Sequence, residues 1–451
     1  DAYGHYHGEL RGYESVLAVP RDMLIAPYGD GRVNTLRLWE AHSPNDLDMY
    51  LFAAGSYVQS LEQRTMAEVI TKVLYPADDH IEGKTLRIRQ QYFFVSATAQ
   101  SILRAHRARY GTVRNFAEHH VIQINDTHPT LIIPELMRLL LDECGYSWDD
   151  AWNVVTKVFA YTNHTVMSEA LECWSEDLFR RLLPRIYQIV KEIDNRFRSS
   201  VWEQTHDANK VERMAVISNG VVRMANLCVA CCHSVNGVSA LHSEILKDSV
   251  FHDFYTLTPD KFCNVTNGIA HRRWLCQANP RLTSMLSDLI GGEFVYNAEC
   301  LSELAKYKDN PAVLAEIEKI KTANKADFAK RVKSYIERKG NNHHVVFLVD
   351  EIGQYIGDDS KLMLNLQTVT EELGKECMGK AWVIVTSQQD IDSITKVKGN
   401  DFSKIQGRFD TRLSLSSANV DEVIKKRILA KTDTADQTLR VLYEQKATPL
   451  K

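Results

Sequence analysis

Short apolar runs alternate with amphipathic segments along most of the chain. Residues 154 to 160, Val-Val-Thr-Lys-Val-Phe-Ala, are mainly β-branched or aromatic and predict a strand. Beyond them, apolar residues recur at helical spacing and predict a helix: Val166, Ala170, Leu171 and Trp174. Asn163 and His164 therefore fall at a predicted junction between a strand and a helix. A loop histidine satisfied by its neighbours is the simpler interpretation of His164 taken alone.

The same junction recurs along the sequence. A strand predicted at 120 to 124 leads into Asn125-Asp-Thr-His-Pro129, and then into a helix whose apolar face includes Leu136, Leu139 and Leu140. Further polar loops are Asn219-Gly220, Asn236-Gly237 and Thr266-Asn267-Gly268. This alternation predicts an α/β fold with a largely parallel sheet, whose ligands bind outside the carboxyl ends of the strands.

The loops at these junctions carry Asn, Asp, His and Gly, with almost no lysine. Neutral donors and acceptors suit a polyhydroxylated ligand such as a sugar better than a bare phosphate. Asn and Gly also favour turns for local reasons, so a purely structural role stays open.

Composition is that of an ordinary globular protein. The 451 residues are 44% hydrophobic and 25% charged, with a net charge of -4, which favours neither nucleic acid nor an anionic membrane. No apolar run approaches the roughly 18 residues of a membrane span, and the residues after Asp1 do not resemble a secretory signal. Nine cysteines indicate free thiols in a reducing cytoplasm. Cys228 to His233 resembles a metal site but lies in an apolar helical pattern, so we expect buried thiols.

Long motifs then resemble one family. "VNTLRLWEA", "VLYPADDHIEGKTLRIRQQYFFV", "QINDTHPTLIIPELMR", "AYTNHTVMSEALE", "SVNGVSALHSEIL" and "TNGIAHRRWL" are similar to the glycogen (α-glucan) phosphorylases, from about Gly8 to about Ala329. The resemblance implies a parallel-sheet, glycosyltransferase-B-like α/β domain over residues 1–329. It also implies phosphorolysis of α-1,4-glucan to glucose 1-phosphate, with glucan and phosphate as partners, pyridoxal 5'-phosphate as cofactor and a homodimer.

The resemblance assigns roles residue by residue. His164 matches the active-site histidine that hydrogen-bonds the terminal glucose. The remaining matches concern substrate binding: Asn267 at the sugar's 6-hydroxyl, Asp126 and His128 in the pocket lining, Asp78 and Asp79 on the gate loop, and Glu172 facing the cavity.

The family's cofactor lysine and glycine-rich segments have no match in this sequence. We therefore expect an enzyme that is incomplete on its own, and keep a catalytically inactive glucan-binding or chimeric protein as an alternative. "EGKT", residues 82 to 85, ends like a Walker A loop, but Asp78 stands where the first glycine is required.

Residues 330–451 change in character. "HHVVFLVDEIGQYIG" has the form of a Walker B strand ending in Asp350 and Glu351, and "AWVIVTSQQD" ends a second apolar strand at Thr386. Arg408 and Arg412 match charge-sensing arginines. Residues 331 to 440 thus resemble the P-loop ATPase of bacterial BREX phage-defence systems, without a Walker A loop. An ATPase-derived phage-defence module is the third hypothesis.

Overall fold

The computed structural model describes residues 11–29, 31–167, 170–340, 342–350 and 360–386. Its contacts divide the chain into two units, Asp1–Ile269 and Ala270–Lys451. The strands of the first unit are β1 Leu17–Ile25, β2 Asn34–His42, β3 Ile122–Asn125, β4 Phe159–Thr162, β5 Cys173–Ser175, β6 Ile217–Ser218, β7 Val221–Arg223, β8 Ser234–Gly237 and β9 Phe262–Asn264.

The helices of the first unit are α1 Met49–Ala53, α2 Glu62–Lys72, α3 Ile81–Tyr110, α4 Phe116–His119, α5 Ile132–Arg138, α6 Trp148–Val158, α7 Glu176–Leu182, α8 Pro184–Thr205, α9 Ala208–Met214, α10 Met224–Cys231, α11 Ala240–Ile245 and α12 His252–Leu257. Short π turns at Leu139–Glu143 and Leu246–Val250 extend α5 and α11, and 3₁₀ turns occupy Gln59–Leu61 and Pro259–Lys261.

A four-stranded parallel sheet in the order β3-β4-β8-β9 organises the first unit. Its strands are buried against helices, with Ile124, Phe159, Tyr161 and Val235 at 1% exposure or less. The predicted α/β fold with a parallel sheet is confirmed. An antiparallel hairpin, β1-β2, and a small antiparallel sheet in the order β5-β7-β6 complete the unit.

The strand predicted at 154 to 160 is wrong over its first five residues, which belong to helix α6. Ser147 begins that helix by accepting a hydrogen bond from the backbone of Asp150, and two acidic residues occupy the first turn. The buried positions recur with helical spacing: Ala151, Val154, Val155 and Val158. This apolar face outweighs the strand preference of β-branched residues, and the chain becomes extended only at Phe159.

The helix predicted from the spacing of Val166, Ala170, Leu171 and Trp174 is also wrong over residues 171–174, which are not helical. Trp174 lies in strand β5 and pairs with Val222 of β7, which buries the indole. Tertiary pairing with a strand 48 positions later is invisible to a periodicity argument.

The cysteines predicted to be buried thiols lie in and just after helix α10, which is enclosed on nearly all sides. Cys228, Cys231 and Cys232 are each at most 1% exposed. Burial raises the pKa of Cys231 to about 12 and raises that of Cys228 further, so both thiols stay protonated.

The second unit contains α13 Pro280–Ile290, α14 Pro311–Lys339, α15 Ser360–Cys377 and the parallel strands β10 Val345–Val349 and β11 Ala381–Val385. A π turn at Arg272–Gln277 precedes α13, and 3₁₀ turns at Glu293–Val295 and Ala298–Tyr307 lie between α13 and α14. Its small core joins α14 and α15 through Ala329, Val332, Ile336, Leu373 and Cys377. Helix α14 runs without a break through residue 330, where the sequence predicts a domain boundary. That boundary stays a prediction.

No helix in the described part of the chain is long and apolar enough to cross a membrane.

Candidate functional site

The carboxyl edge of the parallel sheet brings the predicted polar loops together. Hydrogen bonds continue past the strand ends, with Asp126 N donating to Thr162 O at 3.0 Å and Asn163 N donating to Asn236 O at 2.9 Å. Asn267 N donates to Val238 O at 3.0 Å, which holds the loop after β9 beside the loop after β8. Four loops distant in sequence thus share one edge.

His164 lies exposed at this edge and is oriented by Asn125. Its Nε2 is 2.6 Å from the Asn125 side-chain oxygen, which can only accept, so Nε2 carries the hydrogen. A neutral imidazole then leaves Nδ1 as an acceptor. The loop histidine of the simpler interpretation would also have such a partner, so this contact defines the ring's orientation and leaves its role to experiment.

Beneath His164, Asn163 is fully buried and tied to three groups. Its Nδ2 donates to the Tyr161 hydroxyl at 3.1 Å, and its Oδ1 accepts from Thr165 N at 3.0 Å and from His242 Nε2 at 3.1 Å. Val238 N donates to His242 Nδ1, which fixes the hydrogen of that ring on Nε2. Burial raises the pKa of Tyr161 well above its ordinary range, so the phenol stays protonated.

A second row of hydrogen bonds crosses the strand ends. Gln123 Nε2 donates to Thr162 Oγ1 at 2.7 Å, and that hydroxyl donates to Asn236 Oδ1 at 2.9 Å. These contacts run across β3, β4 and β8 and fix the position of each strand end relative to its neighbours. The site therefore rests on a rigid support.

Asp126 has an unusual backbone, with φ of 64° in the left-handed region. Its side chain accepts a hydrogen bond from Thr127 N at 2.7 Å, a local contact that lets aspartate adopt this conformation. Backbone strain of this kind occurs preferentially at functional sites. His128 is exposed two residues further on, and its ring packs edge-on to Tyr75 with centroids 5.9 Å apart.

Glu172 directly precedes strand β5 of the small antiparallel sheet. Gln91 Nε2 donates to its Oε1 at 2.6 Å, and its backbone carbonyl accepts from Met224 N at 3.1 Å. Its other carboxylate oxygen is buried and, within the described ranges, has no hydrogen-bond partner. An unpaired buried acceptor costs free energy that a hydrogen-bond donor would recover.

Asp78 and Asp79 lie in an exposed loop just before α3, where His80 caps the helix by accepting from Gly83 N. Among the described residues, no hydrogen bond or ion pair joins either aspartate to the loops around His164. The predicted gate role is left untested by this geometry.

The second unit places Asp350 directly after β10 and Thr386 directly after β11, where the Thr386 hydroxyl donates to the Asp350 carboxylate. Glu351, Arg408 and Arg412 lie outside the described residues.

The sequence analysis did not identify two residues that position the predicted site residues, Gln91 and His242. Gln91 is 81 positions from the carboxylate that it contacts, and no local signal links them. His242 is visible in "SALHSEIL" but falls within a helix, where its contact with the Asn163 loop is not evident.

The fold and this edge define an α/β protein that presents amide, imidazole and carboxylate groups, with no lysine, on the loops 126–129, 163–167, 236–239 and 264–268. The family described as "Carbohydrate phosphorylase" matches residues 1–351. The chain belongs to the carbohydrate phosphorylase family.

Individual relatives agree with this assignment. The chain is 43% identical over 358 residues to the muscle form of glycogen phosphorylase from Homo sapiens, covering 76% of this chain and 42% of that protein. It is 45% identical over 340 residues to the muscle form from Oryctolagus cuniculus, covering 73% and 40% respectively. It is 44% identical over 327 residues to glycogen phosphorylase from Bacillus subtilis (strain 168), covering 72% and 40%.

The chain thus spans less than half the length of these curated relatives. The predicted family resemblance is confirmed, and the family match extends beyond Ala329 to residue 351. Strand β10, which the sequence analysis placed in the ATPase-like segment, lies inside that match.

Proposed function

We propose that the carboxyl edge of the parallel sheet binds the terminal glucose of an α-1,4-glucan, and that His164 acts in its phosphorolysis to glucose 1-phosphate. The observation that carries the proposal is the imidazole of His164, held at Nε2 by Asn125 and presented at the edge beside Asp126. With the hydrogen of the ring on Nε2, Nδ1 accepts a hydrogen bond from a sugar hydroxyl. Membership of the phosphorylase family supports the choice of sugar.

The other site residues contribute binding in this proposal. Asn267 offers its amide to the 6-hydroxyl, and Asp126 and His128 line the pocket. Glu172 offers the oxygen that has no partner within the described part of the chain. Asp78 and Asp79, exposed before α3, control access of the glucan. Sugar hydroxyls pair well with such a mixture of neutral and anionic acceptors.

Pyridoxal 5'-phosphate is the family's expected cofactor, and the residues at this edge do not fit it. The cofactor needs a lysine amine for its Schiff base, and its phosphate needs cations or several backbone amides. The loops 126–129, 163–167, 236–239 and 264–268 contain no lysine or arginine. No step is therefore assigned to the cofactor here.

Binding of maltoheptaose to the chain, measured by calorimetry, tests the glucan site. We expect His164→Ala to weaken binding roughly 2- to 10-fold, since one hydrogen bond contributes about 0.5–1.5 kcal/mol. His233→Ala is the matched control, because His233 is exposed at the opposite, amino-terminal end of β8. Equal loss in both variants, or no binding by the parent chain, would refute a sugar site at this edge.

Turnover separates an enzyme from an inactive glucan-binding protein. In a full-length phosphorylase that contains residues 8–329, His164→Ala should lower release of glucose 1-phosphate by roughly 10² to 10³, as for other preorganised contacts to a transition state. Turnover should fall more than glucan affinity, which is spread over many sugar units. His128→Ala should have a smaller effect. Small and equal effects would leave His164 as an ordinary loop residue.

A homodimer, also implied by the family, is tested by sedimentation of the same samples.

A second proposal concerns residues 331 to 440. The parallel pair β10-β11 ends in the hydrogen-bonded Asp350 and Thr386, an arrangement that suits the acidic and polar strand ends of a P-loop ATPase. We propose an ATPase-like strand pair that does not hold nucleotide by itself, because the sequence has no GxxxxGK[ST] loop. Calorimetry should detect no magnesium-dependent ATP binding. Micromolar affinity would overturn this second proposal.

A further inference from the structure

A cavity of about 260 Å³ lies in the first unit, away from the carboxyl edge of the sheet. Its walls come from α6, α8, α9, α10 and α12 and from the turn before β9, and none of its lining residues belongs to the loops around His164. Aromatic rings dominate the walls: Trp148, Trp152, Phe197 and Phe254. A cavity of about 150 Å³ lined by apolar side chains holds benzene, so this one has room for a larger ring system.

The lining is positively charged. It contains Arg196 and Lys261 and no acidic side chain. Arg196 is neutralised by Glu192 and Asp149, whose oxygens lie 2.7 and 2.8 Å from the guanidinium. The charge that remains is on Lys261.

Lys261 has no acidic partner in the part of the chain that the structure describes. Its Nζ donates to the carbonyls of Val229 and Ala230 at 3.1 and 3.2 Å. These contacts cap the last turn of α10, which explains the position of the side chain. Neutral carbonyls do not cancel a full charge, however, and burial lowers the pKa of Lys261 from its ordinary value.

Trp148 supplies an independent observation. Its indole Nε1 is buried and has no acceptor among the described residues. An unpaired buried donor costs about 1–3 kcal/mol, which a ligand that brings an acceptor would recover. The residues that line the cavity therefore include a lysine without a counter-ion and a tryptophan whose N–H group has no acceptor, both within the described part of the chain.

We infer that this cavity is a binding site for small aromatic carboxylates. The ring packs among Trp152, Phe197 and Phe254, and the carboxylate neutralises the ammonium group of Lys261. An acceptor on the ligand also pairs with the indole N–H of Trp148. The site is separate from the glucan site and does not depend on the function proposed for that edge.

Indole-3-acetate and its neutral amide, indole-3-acetamide, are probes of matched shape. Calorimetry on the full chain should show the acid binding at least ten times more tightly than the amide. Lys261→Met, which keeps an unbranched apolar stem, should abolish that preference. Trp148→Phe, which keeps an aromatic ring but removes the N–H group, should weaken binding of the acid about 3- to 10-fold.

Lys157→Met is the control, because Lys157 is exposed on the same helix as Trp148. It should leave both affinities unchanged. The inference is overturned if neither probe binds at millimolar concentration, if acid and amide bind equally, or if Lys157→Met matches Lys261→Met. Far-ultraviolet circular dichroism checks folding, and if Lys261→Met unfolds, the acid-to-amide ratio of the parent and the Trp148→Phe variant decide the question.

Discussion

Replacement of Asn163 by alanine tests whether the buried amide fixes the loop that presents His164. The Asn163 side chain makes three hydrogen bonds, to Tyr161, Thr165 and His242, and is inaccessible to solvent. Alanine removes all three bonds and deprives the buried Tyr161 and His242 of this partner. The three partners lie in different segments, so the variant disconnects the loop after β4 from both its own strand and α11.

The size of the effect follows from the count of bonds. At about 0.5–1.5 kcal/mol for each hydrogen bond, loss of three lowers the free energy of unfolding of the first unit by about 1.5–4.5 kcal/mol. With a urea dependence of about 3 kcal/mol per molar, the midpoint of that unit's transition should fall by roughly 0.5–1.5 M. Tryptophan fluorescence follows this transition, because Trp148, Trp152 and Trp174 lie in the first unit.

Asn195→Ala is the control, since Asn195 is exposed on α8 and its replacement should change the free energy by less than about 0.5 kcal/mol. Hydrogen exchange gives a local measurement, with the Thr165 amide losing protection in Asn163→Ala and keeping it in the control. Equal urea midpoints for Asn163→Ala and the parent chain, with Thr165 still protected, would show that the buried amide does not support the loop.

Three further changes probe the scaffold. Arg138→Met removes the guanidinium that donates two hydrogen bonds, each of 2.8 Å, to the fully buried Glu135 carboxylate. The free energy of unfolding in urea should fall by about 3–5 kcal/mol, and adding Glu135→Leu should recover much of that loss. Burial and neighbouring histidines lower the pKa of His120, so the stability that the neutral ring contributes is present above about pH 6.5 and is lost as the pH falls. His120→Gln should therefore flatten the fall in the free energy of unfolding between pH 7 and 5. An unchanged slope would mean that other groups cause that fall. Gly83→Ala places a Cβ 1.7 Å from Ala77 O and should cost about 1–3 kcal/mol or more, whereas a neutral result would mean that the loop before α3 yields easily.

The sequence predicted the polar edge because that edge is built from local signals. Each loop follows an apolar strand and is rich in Asn, Asp, His and Gly, and parallel strands necessarily end on one side of the sheet. The helix after Asn125 was also predicted correctly from its leucine spacing. The error at residues 154 to 158 arose because three valines favour a strand by propensity while their spacing fits a buried helical face. Periodicity was the stronger signal there.

What the sequence could not supply is contact between distant side chains. The Gln91–Glu172 and Asn163–His242 pairs join residues about 80 positions apart, and no pattern within one element encodes either partner. The cavity lined by Trp148 and Lys261 could not be predicted either, because each wall taken alone has the sequence pattern of an ordinary apolar helix face. Motif resemblance pointed to exposed residues of the edge such as His164, and gave no indication of the residues that hold their loops in place.

The residues of the site form a buried layer and an exposed layer, and substitutions in the two layers should have different effects. Asn163, His242 and Asn236 are at most 7% exposed and bond mainly to one another's loops, so changes to them should act first on stability. His164 and Asn267 are exposed, and each makes one hydrogen bond to the part of the chain that the structure describes, which leaves their remaining polar atoms for a ligand. Substituting the exposed layer should therefore alter glucan binding without moving the urea midpoint. The buried layer explains how loops from four strands keep their spacing, since its hydrogen bonds join the loops after β4 and β8 to each other.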